Sequence, residues 1–300
     1  INASGETGGG TVLVGGDFQG NNPDVQNAFR TYVGPDATIR ADAVTNGDGG
    51  KVIVWSDDAT RFYGTISARG GADGGNGGFV EVSGKNWLDF LARVDVRAPN
   101  GAIGTLLLDP TSSNIGLITG PSDGGEGFSF GPPNHIFSSG VGTSNITWGT
   151  IDLLLDTAAV IITTTGSGGT GDMTISAASP DLNTPNKFQL VAHNNITNTV
   201  GSSITNTGGG TVAMYAGWDG GSPTSPVVNN FVGTITLNAP ITVSSSTGEV
   251  HLVAGNGITQ VTGAPITANK LLADGRKGAV SMSLASNMVN VLAGNASGSF

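Results

Sequence analysis

Two pairs of acidic residues come closest to a catalytic arrangement in this sequence. They are Asp57 with Asp58, in WSDDATRF, and Asp152 with Asp156, in IDLLLDT. Hydrolysis of a glycosidic bond requires two carboxyl groups about 5 to 9.5 Å apart that flank a cleft. Adjacent side chains at a strand end point in different directions, so we expect Asp57 and Asp58 to be solvated turn carboxylates. Carboxyl groups four residues apart on a helix, such as Asp152 and Asp156, usually serve capping and solubility. We therefore predict that the chain has no catalytic residue and is not an enzyme.

Histidines and glycine-rich loops give no pattern that is typical of a metal or cofactor site. His135, His193 and His251 are far apart and lack HxH or HExxH spacing, and His193 and His251 occupy outward positions of predicted strands. The chain has no cysteine, which excludes thiolate ligands and disulfides. No glycine-rich run ends in Gly-Lys-Ser/Thr, as a phosphate-binding loop would. We predict no metal ion and no cofactor.

The stretch GGADGGNGGFVEVSG, residues 70–84, could be a cation-binding loop or a corner. It resembles the calcium-binding nonapeptide GGxGxDxUx, but the aspartate at the sixth position is missing and the motif does not recur every nine residues. An alternating apolar and polar strand follows at once. The glycines are therefore expected to let the chain turn sharply and stack closely without Cβ clashes.

Exposed tryptophans could stack against sugar rings and so mark a ligand contact. The four tryptophans are Trp55, Trp87, Trp148 and Trp218. Trp148 and Trp218 lie in predicted loops and are the better candidates for exposed contacts, whereas Trp87 is expected to pack under a connection between repeats. Asn-x-Ser/Thr sequons begin at Asn2, Asn145, Asn195 and Asn295, and chance explains them in a chain so rich in these residues.

Composition favours β-structure with many turns and excludes several classes of partner. The 300 residues include 50 glycines, only 11% are charged, and the formal net charge is −10. An acidic chain with scattered basic residues is a poor partner for nucleic acid. The longest strongly apolar stretch, AAVII at 158–162, is far shorter than the roughly 20 residues that span a bilayer. The first residues, INASGETGGG, lack the features of a signal peptide, and we expect the chain to be a segment of a longer polypeptide.

Internal repeats organise the sequence. Residues 37–63, 64–91 and 92–119 form three copies of one unit, with lengths of 27, 28 and 28 residues. Each unit has a short strand (38–41, 65–68, 93–96), a glycine-rich corner, a second strand (52–55, 79–82, 105–108) and a longer polar connection. In the C-terminal part a glycine precedes an alternating strand at 171–176, 210–217, 248–255 and 278–285. Such units cannot bury an apolar face alone, so we expect consecutive units to stack.

Stacking predicts an all-β parallel β-helix, or β-solenoid, of about 10 or 11 coils and about 50 Å in length. We predict regular coils over 1–109, an extruded loop or insertion over 110–149, where the repeat is lost, and degenerate coils over 150–300. A short helix near 150–156, with Thr150 as N-cap and Asp152 in its first turn, is also predicted. An antiparallel β-sandwich is the alternative, because short strands between frequent turns describe it too.

Several segments resemble filamentous-haemagglutinin-like exoproteins, the secreted partners of bacterial two-partner secretion. The resemblance rests on residues 74–110 (GGNGGFVEVSGKNWLDFLARVDVRAPNGAIGTLLLDP), on TWGTIDLLLDTAAVIITTTGSGGTGDMTISA, and on residues 248–283 (GEVHLVAGNGITQVTGAPITANKLLADGRKGAVSMS). It implies a right-handed parallel β-helix, export through an outer-membrane transporter, and location at the cell surface or in the medium. The family's secretion domain and distal activity domain have no counterpart here.

These observations predict a non-catalytic shaft segment of a large secreted surface protein. Adhesion through glycans or other cells is the first alternative, and a β-helical polysaccharide-processing enzyme is the second. Partners would be other copies of the chain, end to end or side by side, or glycans and cells. Nucleic acid and membrane insertion are not expected.

Overall fold

The computed structural model describes residues 1–110, 115–118, 144–164, 171–229, 232–283 and 286–297, with the backbone alone for 115–118. Within these residues the fold is all-β, with one short α-helix, one 3-10 turn (Phe18–Gly20) and four sheets. Every ladder between strands is parallel. Parallel pairing rules out the antiparallel sandwich.

The largest sheet, called the long sheet, has 12 strands. Ten strands follow one another across it: β1 (Thr11–Val14), β4 (Lys51–Val54), β7 (Phe79–Gly84), β10 (Thr105–Pro110), β13 (Ala159–Thr164), β15 (Phe188–Ala192), β18 (Val212–Ala216), β21 (Glu249–Ala254), β23 (Ile266–Gly275) and β25 (Met288–Ala296). The first part of β23 also pairs with β20 (Ile241–Val243), which pairs with β17 (Ile204–Asn206). The strand β23 therefore belongs to two stacks at once.

Three further sheets complete the fold. The seven-stranded sheet contains β12 (Ser144–Thr147), β11 (Ile115–Ile118), β14 (Met173–Ile175), β16 (Ile196–Asn198), β19 (Thr234–Leu237), β22 (Gly257–Gln260) and β24 (Val280–Ser281), in that order. One three-stranded sheet contains β2 (Arg30–Val33), β5 (Ala59–Phe62) and β8 (Trp87–Phe90). The other contains β3 (Thr38–Arg40), β6 (Thr65–Ser67) and β9 (Arg93–Asp95). Consecutive strands of the chain mostly enter different sheets, so each sheet grows by one strand per repeat.

One apolar cluster runs through the interior from the N-terminal to the C-terminal part. Alternate residues of each strand point inward, and the register stacks them in rows such as Val52, Val80, Leu106, Val160, Phe188, Val212 and Val250. All members of this row belong to the same buried cluster. Phe62 and Phe90 stack with 6.0 Å between their ring centroids. Burial of apolar area along this row is the main stabilising contribution.

The repeats predicted for the first part of the chain are confirmed, and each contains a third strand that was not predicted. Lys51 pairs with Phe79 and Phe79 with Thr105, which are offsets of 79 − 51 = 28 and 105 − 79 = 26 residues. The predicted long polar connections, however, contain β5 and β8, all of whose residues are buried. The outward positions of β5 and β8 carry polar and aromatic side chains that other parts of the chain cover. The sequence therefore lacks the alternation of apolar and polar residues by which a strand is usually recognised.

The four glycine-strand phrases of the C-terminal part do not occupy equivalent places. The phrases at 210–217 and 248–255 form β18 and β21 of the long sheet, whereas those at 171–176 and 278–285 contain β14 and β24 of the seven-stranded sheet. The interpretation of all four as one repeated unit was therefore wrong. A glycine before an alternating strand marks a corner of the chain, and the chain has more than one corner per repeat.

The predicted short helix is present as α1 (Trp148–Leu155). Its N-cap is Thr147, whose hydroxyl accepts a hydrogen bond from the backbone N–H of Thr150 at 3.2 Å. The prediction of Thr150 as N-cap was wrong by one turn, and Asp152 lies beyond the first turn. At the other end, the Leu155 carbonyl accepts hydrogen bonds from the Thr184 hydroxyl (3.0 Å) and the Asn186 amide (2.6 Å). Both helix ends are therefore capped.

The predicted insertion over 110–149 lies mostly outside the described residues. The described part contains β11 and β12, which pair with each other in parallel, and β11 also pairs with β14. The Ser144 hydroxyl of β12 accepts a hydrogen bond from the backbone N–H of Leu88 at 3.1 Å. This contact sets β12 beside β8, so the seven-stranded sheet continues the line of the β2–β5–β8 sheet.

In the glycine-rich stretch 70–84, residues 70–78 form a corner, as predicted, and the remaining residues are β7 of the long sheet. A Cβ atom on Gly77 would stand 1.7 Å from the carbonyl oxygen of Val96, and one on Gly75, whose φ is +111°, would stand 2.0 Å from that of Gly47. Gly78 donates a backbone hydrogen bond to Ala68 at 2.8 Å, and Gly104 donates the corresponding bond to Val96 at 2.8 Å. The glycines therefore permit contact between backbones at each corner.

Candidate functional site

A loop at the N-terminal end of the chain covers a buried carboxyl pair on the outer face of the long sheet. This loop, residues 15–28, is called the strap. Its base is closed by a hydrogen bond from the backbone N–H of Ala28 to the carbonyl of Gly15 at 2.8 Å. Beneath it lie Glu81 of β7 and Asp109 of β10, both fully buried. Charged residues are almost never buried without partners, so the pair is the first candidate for a special role.

Gln19 of the strap binds both carboxyl groups. Its backbone N–H lies 3.2 Å from Oε1 and 3.3 Å from Oε2 of Glu81, and its side-chain Nε2 lies 3.3 Å from Oδ2 of Asp109. The Ser83 hydroxyl donates to Oε1 of Glu81 at 2.7 Å. Gln19 has φ of +53°, an uncommon conformation for a residue with a side chain. The strain at Gln19 is thus tied to its double contact with the carboxyl pair.

Burial and mutual repulsion favour the neutral forms of the two acids. Desolvation, followed by the charge of Asp109, raises the pKa of Glu81 to about 8. Desolvation also raises the pKa of Asp109, although hydrogen bonds from Thr163 and Gln19 oppose the shift. Oδ1 of Asp109 has no hydrogen-bond partner among the described residues. Two buried carboxyl groups bound by one uncharged residue therefore carry fewer than two charges near neutral pH.

Further contacts of the two residues before Gln19 hold the strap on the long sheet. Asp17 forms an ion pair with Lys51 of β4 at 3.0 Å, and hydrogen bonds from Asn22, from the Phe18 backbone and from Lys51 lower the pKa of Asp17 to about 2. The ring of Phe18 packs edge-on against Phe79, with 5.9 Å between centroids. These contacts keep Gln19 over the carboxyl pair.

A second polar cluster lies on the outer face of the β2–β5–β8 sheet. The register sets Tyr32, Arg61 and Asp89 side by side. Arg61 is fully buried, and its guanidinium carbon lies 5.0 Å from the ring centroid of Trp87. The Tyr63 hydroxyl donates to Oδ2 of Asp89, and desolvation together with this hydrogen bond raises the pKa of Tyr63. Burial of an arginine against a tryptophan ring is typical of a structural cation–π contact.

The edge of the same sheet exposes aromatic rings. Phe29 is 67% exposed and Tyr32 is 42% exposed. The ring of Tyr32 lies 6.0 Å from that of Tyr63 in an edge-to-face arrangement, and the guanidinium of Arg30 lies 5.2 Å from the Phe29 ring. Exposed rings with a nearby cation form a surface that can stack against a sugar ring and donate hydrogen bonds to its hydroxyls.

A groove of about 830 Å³ follows the outer face of the β3–β6–β9 sheet. Arg40, Arg69 and Arg97 line it on successive repeats. Arg69 pairs with Asp42 at 3.1 Å, and Arg97 pairs with Asp95 at 2.7 Å. Because two of the three arginines are already paired with carboxylates, the groove presents alternating rather than uniform charge.

Asp57 and Asp58 bind different neighbours and do not face a common cleft. Oδ1 of Asp57 accepts hydrogen bonds from Asn27 at 3.0 Å and from the indole of Trp55 at 3.1 Å. Asp58 is buried and forms an ion pair with Arg30 at 2.7 Å. The expectation that these two are solvated turn carboxylates was wrong for Asp58. Asp57 links the segment before β2 to the next repeat, and Asp58 links the first residue of β2 to it.

Replacement of Asp58 by alanine is expected to destabilise the protein by about 2 to 3 kcal/mol, because Arg30 and the Asn86 amide, which bonds Oδ1 at 3.1 Å, lose a buried partner. Urea unfolding at pH 7 measures the change. The control is Asp36→Ala, an exposed position that should shift the free energy of unfolding by less than about 0.5 kcal/mol. Equal effects of the two variants would contradict the structural role of Asp58.

Asp152 and Asp156 lie on the same side of α1, at its middle and at its C-cap. Desolvation, the charge of Asp156 and the charge of Asp181 raise the pKa of Asp152. Asp156 is exposed. The two carboxylates therefore repel each other at the end of the helix. Among the described residues, this arrangement neither activates a nucleophile nor binds a partner.

The tryptophans predicted to be exposed are buried. Trp148 is 1% exposed and is the first residue of α1, with its indole N–H donating to the Ala177 carbonyl at 2.7 Å. Trp218 is fully buried in a small apolar cluster on the outer face of the long sheet. Neither can stack against a ligand in this conformation, so the prediction of Trp148 and Trp218 as ligand contacts was wrong. Sequence reasoning missed Phe29 and Tyr32, because their alternation with buried residues in FRTYV becomes visible only once β2 is known.

The remaining sequence candidates are structural or lie at the surface. His193 and His251 are half-buried, and His251 lies 3.0 Å from Glu249; His135 lies outside the described residues. Asn195 is engaged, donating to Asp172 at 2.9 Å and accepting from the Thr234 backbone at 3.0 Å. Asn2 and Asn295 are exposed, and Asn145 is half-buried. In the parts of the chain that the structure describes, no three acidic or histidine side chains are arranged to hold a metal ion.

Comparison with known proteins finds neither a matching family model nor a significantly similar curated protein. Among the described residues, no helix has the length and apolar character needed to cross a membrane.

Proposed function

We propose that this chain is a segment of a right-handed parallel β-helix that serves as the non-catalytic shaft of a secreted bacterial surface protein. The observation that carries this proposal is the in-register stack of ten parallel strands in the long sheet over one continuous apolar cluster. With about 4.8 Å between neighbouring strands, nine steps give a length of about 43 Å. A stack of this kind spaces whatever lies at its two ends.

The distribution of function-bearing side chains supports a shaft. The carboxyl pair Glu81 and Asp109 is closed under the strap, and Arg61 is buried against Trp87. These polar groups are occupied by contacts within the fold, with the strap in one case and with a neighbouring strand in the other. The resemblance to filamentous-haemagglutinin-like exoproteins agrees with this role and with export to the cell surface or medium.

Spin labels test the stack directly, since the chain has no native cysteine. Labels on cysteines at Thr105 and Glu249, outward positions four strands apart in the long sheet, should give a mean distance of about 20 Å between their backbones. Labels at Thr105 and Ala159, on neighbouring strands, are the control and should give about 5 Å. A first distance below about 10 Å or above about 40 Å would overturn the continuous stack. For function, a shaft predicts no saturable binding on a glycan array and no turnover of polysaccharides.

Direct adhesion to glycans is the second candidate, and the exposed aromatic edge of the β2–β5–β8 sheet favours it. Phe29 and Tyr32 present their rings to solvent beside the Arg30 guanidinium. This edge replaces Trp148 and Trp218 as the place where a sugar ring could stack.

Under the adhesive reading, we expect Tyr32→Ala to weaken glycan binding by roughly tenfold, the loss of one stacked ring. The matched control is Leu153→Ala, an exposed apolar residue on the solvent side of α1, which should leave binding unchanged. Isothermal titration with the best-bound oligosaccharide of an array measures the change. Absence of binding by the unmodified protein, or equal loss in both variants, would remove this candidate.

A further inference from the structure

The strap and the carboxyl pair beneath it form a unit that can open without separating the sheets. The strap is a loop whose ends meet at the hydrogen bond between Ala28 and Gly15, and loops closed in this way are compact local units. The strap is held by contacts of Asp17, Phe18 and Gln19 and by the approach of two glycines to Trp55. At its base, Asn27 donates a hydrogen bond to Asp57 at 3.0 Å, and the Ala28 carbonyl accepts one from the Asp57 backbone at 2.9 Å. Opening would break these contacts and leave every strand ladder intact.

Glycines allow the strap to lie directly on the Trp55 ring. A Cβ on Gly16 would stand 2.6 Å from Cδ1 of Trp55, and one on Gly20 would stand 2.6 Å from its Cε2 and Nε1 atoms. Both glycines have positive φ, +153° and +63°. The close fit explains why Trp55 is only 2% exposed although it lies on the outer face of the sheet.

The charge balance under the strap requires a proton. The groups that face Glu81 are Asp109 of β10 and, more weakly, Lys51 of β4, while Thr163 of β13 and the strap face Asp109. Lys51 already pairs with Asp17, and its side chain is 40% exposed. Two buried carboxylates, one bound by the backbone N–H of Gln19 and the other by its side-chain amide, with a lysine that already has a partner, are not compensated, whereas one carboxylate and one carboxylic acid are.

We propose that Gln19 closes the strap over a Glu81–Asp109 pair that holds a single proton, and that loss of this proton opens the strap while the sheets beneath stay paired. A second negative charge would lie in a site where the strap offers only N–H donors already in use. Opening admits water to both carboxylates and removes the repulsion. The device is a latch that is closed at neutral and acidic pH and opens in alkaline solution, a range in accord with the raised pKa of Glu81.

Cysteine accessibility in the full chain tests the latch. Ile53 of β4 is fully buried and pairs in register with Glu81, so Ile53→Cys places the only thiol of the protein beside the carboxyl pair. Its labelling by 4,4′-dithiodipyridine is measured at pH 6 and pH 9.5, each relative to the urea-unfolded protein at the same pH. We expect the relative rate to rise at least about tenfold at pH 9.5.

Two variants separate the latch from other causes. Ile53→Cys combined with Glu81→Gln, which holds no titrating proton, should show equal relative rates at the two pH values. Ala192→Cys, in the interior of the long sheet, should stay protected at both. Any of three results would overturn the proposal. The relative labelling rate of the Ile53→Cys protein could be the same at both pH values, its rise could persist when Glu81→Gln is added, or the rate at Ala192→Cys could rise in parallel. If Ile53→Cys does not fold, acrylamide quenching of Trp55, taken as the difference from Trp55→Phe, answers the same question.

Discussion

Gly77→Ala will lower the free energy of unfolding by about 3 kcal/mol or more, one of the two largest effects expected in this protein. The new Cβ would stand 1.7 Å from the carbonyl oxygen of Val96 and 2.4 Å from the backbone nitrogen of Gly104. These two atoms form the hydrogen bond of 2.8 Å that closes the corner of the next repeat. Because both are backbone atoms, relief requires that strands of two repeats move apart. Urea unfolding followed by circular dichroism measures the loss.

Gly149→Ala is the matched control, with the opposite sign. Gly149 is exposed in the first turn of α1, where its Cβ would meet no atom closer than the Thr147 hydroxyl at 3.9 Å. Alanine in a helix is favoured over glycine by about 0.5 to 1 kcal/mol, so this variant should be slightly more stable than the native protein. A Gly77→Ala protein that loses less than about 1 kcal/mol would show that the corners can relax and do not set the spacing of the repeats.

Glycine corners and inward rows could be predicted from the sequence because both are local patterns. In GGFVEVSG the apolar residues alternate with polar ones, and the glycines mark where the chain turns. The strands β5 and β8 were missed, since ATRF and WLDF carry Arg61 and Asp89 at outward positions that other groups cover. Alternation of apolar and polar residues identifies a strand only when one face of its sheet is exposed to solvent.

The candidate site was harder to predict than the fold, since it depends on contacts between residues far apart in the chain. Gln19 and Asp109 are 90 residues apart and Gln19 and Glu81 are 62 apart, and GGDFQGNNPD has the composition of any surface turn. Glu81 in FVEV occupies a position that alternation assigns to solvent. Only the strap makes it a buried acid. The tryptophans failed as predictions for the same reason, because Trp148 and Trp218 follow turn residues and are buried by segments that come later or earlier in the chain.

Between pH 5 and pH 9 the protein will lose about 2 to 5 kcal/mol of stability, and Glu81→Gln will remove most of this loss. The folded-state pKa of Glu81, about 8, lies above its ordinary value of 4.5. From pH 4.5 to pH 8 the folded protein therefore binds more protons than the unfolded chain, so the free energy of unfolding falls as pH rises and levels off above pH 8. A full shift of this size corresponds to at most about 5 kcal/mol. Asp109, whose pKa is also raised, contributes with the same sign.

The two other groups with large pKa shifts, Asp17 and Tyr63, act outside this window. Because the pKa of Asp17 is lowered from 3.8 to about 2, its contribution to stability is fully present above pH 3.8 and is lost only in strong acid. The raised pKa of Tyr63 matters only above its ordinary value of 10. The difference between urea titrations of the native and Glu81→Gln proteins at pH 5, 7 and 9 isolates the contribution of Glu81. Parallel losses in the two proteins would assign the pH dependence to other groups.

The size of the loss also reports on the strap. If the strap could not open, the folded state would bear the full cost of ionising Glu81 beside Asp109, and stability would fall until the pKa of about 8 is passed. An opening strap lets both acids ionise in water, which limits the loss to the free energy of closing the strap over the sheet. The height of the plateau, together with alkaline labelling at Ile53→Cys, would therefore measure how strongly Gln19, Phe18 and Asp17 hold residues 15–28 in place.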